Sequence, residues 1–136
     1  MSLTYGIQAF INNTVKANAN TLVTEVTRST LQAVVRRTPV DTGHLKSNWN
    51  ATVDAPSVPE NNNYESVATS LIVDAAMERM PSTPAGHVVY IANPTPYGPD
   101  LESGATPSRK MQPGGMVGLA AVEFEMRVKE AARLLK

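Results

Sequence analysis

The chain predicts an α+β fold, and three observations predict it. A proline-free N-terminal stretch carries apolar residues at helical spacing. A following segment alternates apolar and polar residues with period two. A proline- and glycine-rich stretch then separates a β-branched run from a last amphipathic segment. With 136 residues the chain has the size of one domain with one modest core, so 1–136 reads as a single unit.

The first element is a long N-terminal helix. From Leu3 to Arg37 there is no proline, and Ile7, Ile11, Val15, Ala19, Leu22, Val26 and Ala33 fall on one stripe. Asparagines and threonines are frequent in it, so packing rather than propensity has to stabilise it. Pro39 stops it. From Leu45 to Ala55, Leu45, Trp49, Ala51, Val53 and Ala55 occupy the apolar phase of a half-buried strand. Pro56, Pro59 and Asn61-Asn62-Asn63 form a loop, after which Asn62 caps a middle helix with Glu65 in the reciprocal position. Its expected apolar face is Ala68, Leu71, Ile72, Ala75, Ala76 and Met80, ending at Pro81.

His87 to Asn93 is a short β-branched and aromatic run, a second strand expected to pair with the first in a small antiparallel sheet. Pro94 to Gly115 reads as a long loop with one helical turn near Asp100 to Ser103. The final helix spans about Met116 to Leu135, with Val117, Ala121, Phe124, Val128, Ala131 and Leu135 on one face.

Composition narrows function. Lys plus Arg and Asp plus Glu are twelve each, and this balance argues against specific nucleic-acid binding, which favours a basic surplus. No cysteine is present, so neither a disulfide nor a thiolate nucleophile nor a Cys-ligated zinc can form. No window reaches the apolar length of a membrane span, and no signal-peptide pattern opens the chain, so the membrane is not an expected partner. The two histidines, His44 and His87, have no metal-binding spacing, and neither a serine-nucleophile motif nor a phosphate-cradling loop occurs. Catalytic, cofactor-binding and metal-ligating residues are therefore not expected, and the protein reads as no enzyme.

One triplet invites a contrary reading. Asp41-Thr42-Gly43 matches the catalytic turn of aspartic proteases, and a chain of this length can be half of a dimeric one. That site needs an all-β body with apolar strand residues before the aspartate, whereas Arg36-Arg37-Thr38-Pro39 and a long helix precede it here. The favoured reading is a structural turn at Pro39, Asp41, Thr42 and Gly43, with Gly43 at positive φ. Arg36 and Arg37 suit a helix C-terminus, and Arg109 and Lys110 in the long loop are the better contact residues.

The string Arg37-Thr38-Pro39-Val40-Asp41-Thr42-Gly43-His44-Leu45-Lys46-Ser47-Asn48-Trp49 resembles the signature of phage tail-completion, or neck, proteins. Two further blocks follow in that family's order. Tyr90-Ile91-Ala92-Asn93 leads to Pro96-Tyr97 and Leu101-Glu102-Ser103-Gly104, and Pro113-Gly114-Gly115-Met116-Val117 is similar to the turn opening its C-terminal helix. His44, Gly98 and Ser108-Arg109-Lys110 depart from the usual text. The resemblance implies a structural virion protein without cofactor, located at the head-tail junction and in the host cytoplasm during assembly. It implies a homo-oligomeric ring, with six copies as the expected number, between head connector or portal-proximal proteins and tail-terminator or tail-tube proteins. Tyr97, Leu101, Glu102, Arg109 and Lys110 are then the expected assembly contacts. A tail-terminator protein capping the tail tube is the nearest alternative, and a small adaptor or toxin-neutralising module a more distant one.

Overall fold

A computed structural model describes residues 3–8, 16–40, 43–56, 59–62, 68–96, 98–104 and 115–134. The element order is β1 (Leu3–Gln8), α1 (Lys16–Arg37), α2 (His44–Ser47), β2 (Asn50–Val53), α3 (Thr69–Met77), β3 (Val88–Asn93), α4 (Gly98–Ser103) and α5 (Met116–Leu134). The fold is α+β, as expected from the pattern.

The sheet has three strands in the order β1-β3-β2, both pairings antiparallel. The expected pair is present, with Ala51 opposite Ile91 and Val53 opposite Val89. The third strand is a correction. Leu3–Gln8 does not open the long helix but pairs along β3 from Leu3 opposite Asn93 to Gln8 opposite Val88. Thr4, Tyr5 and Ile7 are good strand formers, yet the pairing partners lie 80 to 90 positions away, a tertiary choice that helical spacing of Ile7, Ile11 and Val15 concealed.

Helix α1 is the centre of the molecule and touches α5, α3, β2 and β3. Its buried residues include Val23, Val26, Leu31, Ala33, Val34 and Val35 together with Thr27 and Thr30. The threonines fit because each returns its hydroxyl to the preceding turn: Thr24 Oγ1 donates to Asn20 O at 2.9 Å, Thr27 to Val23 O at 2.7 Å and Thr30 to Val26 O at 2.7 Å. A hydroxyl that satisfies itself on its own helix can enter an apolar interior without another partner.

Two further expectations are corrected. The strand expected over Leu45 to Ala55 is confined to Asn50–Val53, because residues 44–47 form the helical turn α2. Leu45 and Trp49 are nonetheless both buried. A spacing of four keeps two residues on one side in either structure, which is why the alternation included them. The middle helix begins at Thr69, after an extended Ala68 and without a side-chain cap. Asn62 lies in irregular chain, and Glu65 falls outside the described residues. The buried face of α3 is Ile72, Val73, Ala76 and Met77, rotated by about one residue from the expected one, and leaves Leu71 56% exposed.

Helix α5 starts and ends within a residue of expectation, and the turn expected at Asp100 to Ser103 is α4. Leu135 is outside the described residues. The core joins Leu31, Val34 and Val35 of α1, Leu45, Trp49, Ala51, α3, Val89 and Ile91 of β3, and Met116 and Ala120 of α5.

Candidate functional site: the turn after α1 and the α4–α5 junction

The first candidate region is the turn after α1. Thr38 donates to Val34 O at 2.6 Å and accepts from the Trp49 indole N–H at 2.7 Å. The single tryptophan is 1% exposed and has its one polar atom satisfied, as a buried indole requires. Gly43 has φ 87°, the left-handed conformation expected of it, and its carbonyl accepts from Ser47 N at 2.9 Å to open α2. Asn48, fully buried, donates to His44 O and Asn61 O and accepts from Asn61 N at 2.6 Å. Asn93 at the end of β3 donates to Leu45 O at 2.7 Å and accepts from Thr95 N at 3.0 Å. Two buried asparagines thus tie α2 to the 59–62 segment on one side and to β3 on the other. Pro39 is half-buried, and Asp41 and Thr42 lie outside the described residues.

The second region is the junction of α4 and α5. Helix α5 brings no capping side chain of its own, since Gly115 precedes it. Glu102 of α4 supplies the cap. Its Oε1 accepts from Met116 N at 2.7 Å and Val117 N at 2.9 Å, and its Oε2 from Gly118 N at 2.9 Å. A carboxylate on three orphan amides at a helix N-terminus gains from charge-assisted hydrogen bonding and from the helix dipole together. Gly115 leaves the room for it. A Cβ built there would stand 2.6 Å from Glu102 Cδ, and the backbone has φ 82°. Leu101 is half-buried and packs against the core.

The expected assembly residues therefore separate. Leu101 and Glu102 are engaged within the chain. Tyr97, Arg109 and Lys110 fall outside the described residues. The role of Glu102 as a cap was missed by sequence reasoning. The available signal was the absence of any Ser, Thr, Asp or Asn immediately before a helix opened by Gly114-Gly115.

Between α1 and α5 lies a polar seam that the sequence did not suggest. Arg37 pairs with Glu123. Arg127 donates to Ser29 Oγ at 2.8 Å and lies 3.4 Å from Glu123. Arg37 is thus more than a cation at a helix end, for it joins the two longest helices. Among the described residues no group of three His, Asp or Glu side chains is placed to hold a metal ion, and no helix is long and apolar enough to cross a membrane.

No known protein family, no curated protein and no solved structure matches the chain.

Proposed function

We propose that the protein is a structural subunit of a tailed phage or prophage that joins head to tail, a tail-completion or neck protein acting as a ring of copies. Three sequence blocks in the order of that family suggest the reading. The observation that supports it is the Glu102 cap: Glu102 of the second block accepts from the amides of Met116 and Val117 of the third. Residues that make sense only together are what a shared architecture predicts.

In this reading the cap is a positioning device. It ties α4 to the first turn of α5, the two elements that flank segment 105–114 in the sequence. Anchoring reduces the ordering cost of an interface. Leu101 and Glu102 support the contact from within, and Tyr97, Arg109 and Lys110 are left to touch a neighbouring copy or the head connector. The two cations steer docking onto an acidic surface more than they hold it, so joining slows as salt rises.

The test is genetic and biochemical. In the phage that encodes it, loss of the protein leaves filled heads and finished tails unjoined, and purified protein added to that lysate joins them. Tails of uncontrolled length would instead identify a tail terminator. Intact virions without the protein would end the reading. Arg109→Glu with Lys110→Glu should fold normally and join slowly, and equal joining by the double variant would remove those two residues from the contact.

A further inference from the structure

The two edges of the sheet are unlike. In an antiparallel ladder the N–H and C=O of one residue point to the same side, and successive residues alternate sides. Asp54 N donates to Val88 O at 2.7 Å, so Val88, and with it Tyr90 and Ala92, bonds toward β2. Val89, Ile91 and Asn93 consequently bond toward β1, where they face Ile7, Tyr5 and Leu3. The phase leaves Ala51 and Val53 pointing away from β3 on the β2 side, and Thr4, Gly6 and Gln8 pointing away on the β1 side.

The β2 edge is closed, since Ala51, backbone included, is 0% exposed. The β1 edge is bounded by no further strand among the described residues. Its strand, Leu3-Thr4-Tyr5-Gly6-Ile7-Gln8, has neither a charged residue nor a proline, the residue types that block edge pairing.

We infer that this edge is a docking surface for the β1 strand of a second copy of the chain, paired antiparallel about a twofold axis at Gly6. The occupant follows from the strand's own symmetry. With Gly6 opposite Gly6 of the second copy, Thr4 falls opposite Gln8 and Gln8 opposite Thr4, so every outward N–H and C=O meets one in the second copy. A register centred on Tyr5 or Ile7 also sets outward residues against outward residues, but it leaves Gln8 or Thr4, respectively, without a partner inside Leu3–Gln8. At the axis, where two identical residues come closest, the residue is the one without a side chain. The absence of charge means that like meets like without repulsion. The joint continues both sheets into one. A twofold contact closes on two copies and is distinct from the contacts that close a ring, so this inference and the head-to-tail reading stand or fall separately.

Because the chain has no cysteine, a single introduced one can form only an intermolecular disulfide. In the proposed register Gly6→Cys brings the two Cα atoms to about 5.5 Å, within disulfide reach. Thr4→Cys places its two copies roughly 14 Å apart, out of reach. Under mild oxidation of the folded protein, most Gly6→Cys chains should become covalent dimers and Thr4→Cys chains should stay single. Thr4→Cys mixed with Gln8→Cys should cross-link one to the other. The wild type should sediment as a dimer that dissociates on dilution. A wild type that stays monomeric at every concentration, or Thr4→Cys cross-linking as readily as Gly6→Cys, would overturn the register and the surface with it. Loss of folding in Gly6→Cys leaves the Thr4→Cys and Gln8→Cys mixture as the deciding experiment, and failure of that pair to cross-link overturns the inference as well. Neither result bears on whether the protein joins heads to tails.

Discussion

Two buried glycines, Gly43 and Gly115, each precede a helix and each adopt a left-handed conformation, φ 87° and 82°. Their surroundings differ. Around Gly43 the chain is held many times over: by Ser47 N on the Gly43 carbonyl, by Asn48 and Asn93 on neighbouring carbonyls, and by Thr38 between the Trp49 indole and α1. Around Gly115 one side chain, Glu102, holds the first turn of α5. The first turn is held redundantly, and the second depends on a single residue thirteen positions upstream. The expected failures follow: the first region should break through loss of volume, the second through loss of a single carboxylate.

The largest effect is expected at Trp49. Trp49→Ala removes the largest fully buried side chain together with the indole N–H that Thr38 accepts, and it should cost about 3 to 5 kcal/mol in denaturant unfolding. Thr38→Val, which keeps the volume and deletes both hydrogen bonds of the hydroxyl, to the Val34 carbonyl and from the indole, should cost only about 1 to 3 kcal/mol. If Thr38→Val were as damaging as Trp49→Ala, the turn would depend on that hydroxyl rather than on packing, and the contrast with Gly115 would disappear.

The difference between the glycines also explains what the sequence made legible. Gly43 could be read from Thr-Pro-Val-Asp-Thr-Gly, because positive φ after an Asp-Thr pair is a local preference. The C-terminal helix was legible for the same kind of reason, since its period is written in its own residues. The Glu102 cap was not legible, because nothing in Leu-Glu-Ser-Gly says which helix end the carboxylate will meet. The same holds for β1, which is chosen by β3, and for the Arg37–Glu123–Arg127 seam, whose members belong to two helices. Alternation over Leu45 to Ala55 misled because a four-residue spacing is shared by helix and strand. Most of the architecture thus follows from periodicity, whereas the candidate site rests on pairings between distant residues.

An intermediate effect, and the sharpest test of the contrast, lies at the α4–α5 junction. Glu102→Ala strips three amides of their acceptor and should cost about 1 to 3 kcal/mol. Gly115→Ala adds a left-handed alanine, about 1 to 2 kcal/mol, and also drives its Cβ into the Glu102 carboxylate. In the Glu102→Ala background the second contribution vanishes, so Gly115→Ala should cost less there than in the wild type. Strict additivity of the two substitutions in unfolding free energy would show that Gly115 is constrained by its φ alone.

The smallest effect is expected at Asp54, directly after β2, a non-glycine residue that nonetheless adopts φ 66°. Asp54 stands 2.9 Å from His87 Nδ1 and accepts from Val88 N at 3.2 Å. The hydrogen bond with His87 is the main reason its carboxyl titrates below the usual value, the Val88 amide the next. A lowered folded-state pKa means that the ionised form is the one favoured by folding. Its contribution is present above the unfolded carboxylate value and is lost as pH falls through the folded one. Asp54→Asn keeps a side chain that tolerates the left-handed region and removes only the ionisable carboxylate. The melting temperature of the wild type should exceed that of Asp54→Asn slightly at neutral pH, and the gap should close as the solution is acidified below the usual carboxylate range. The site is open to solvent, so added salt should also narrow the gap. A gap that persists unchanged into acid would mean that the amide's shape and not the lost charge accounts for it. The αL residue would then act as a local turn device of the Gly43 kind rather than as a single-carboxylate hold of the Glu102 kind.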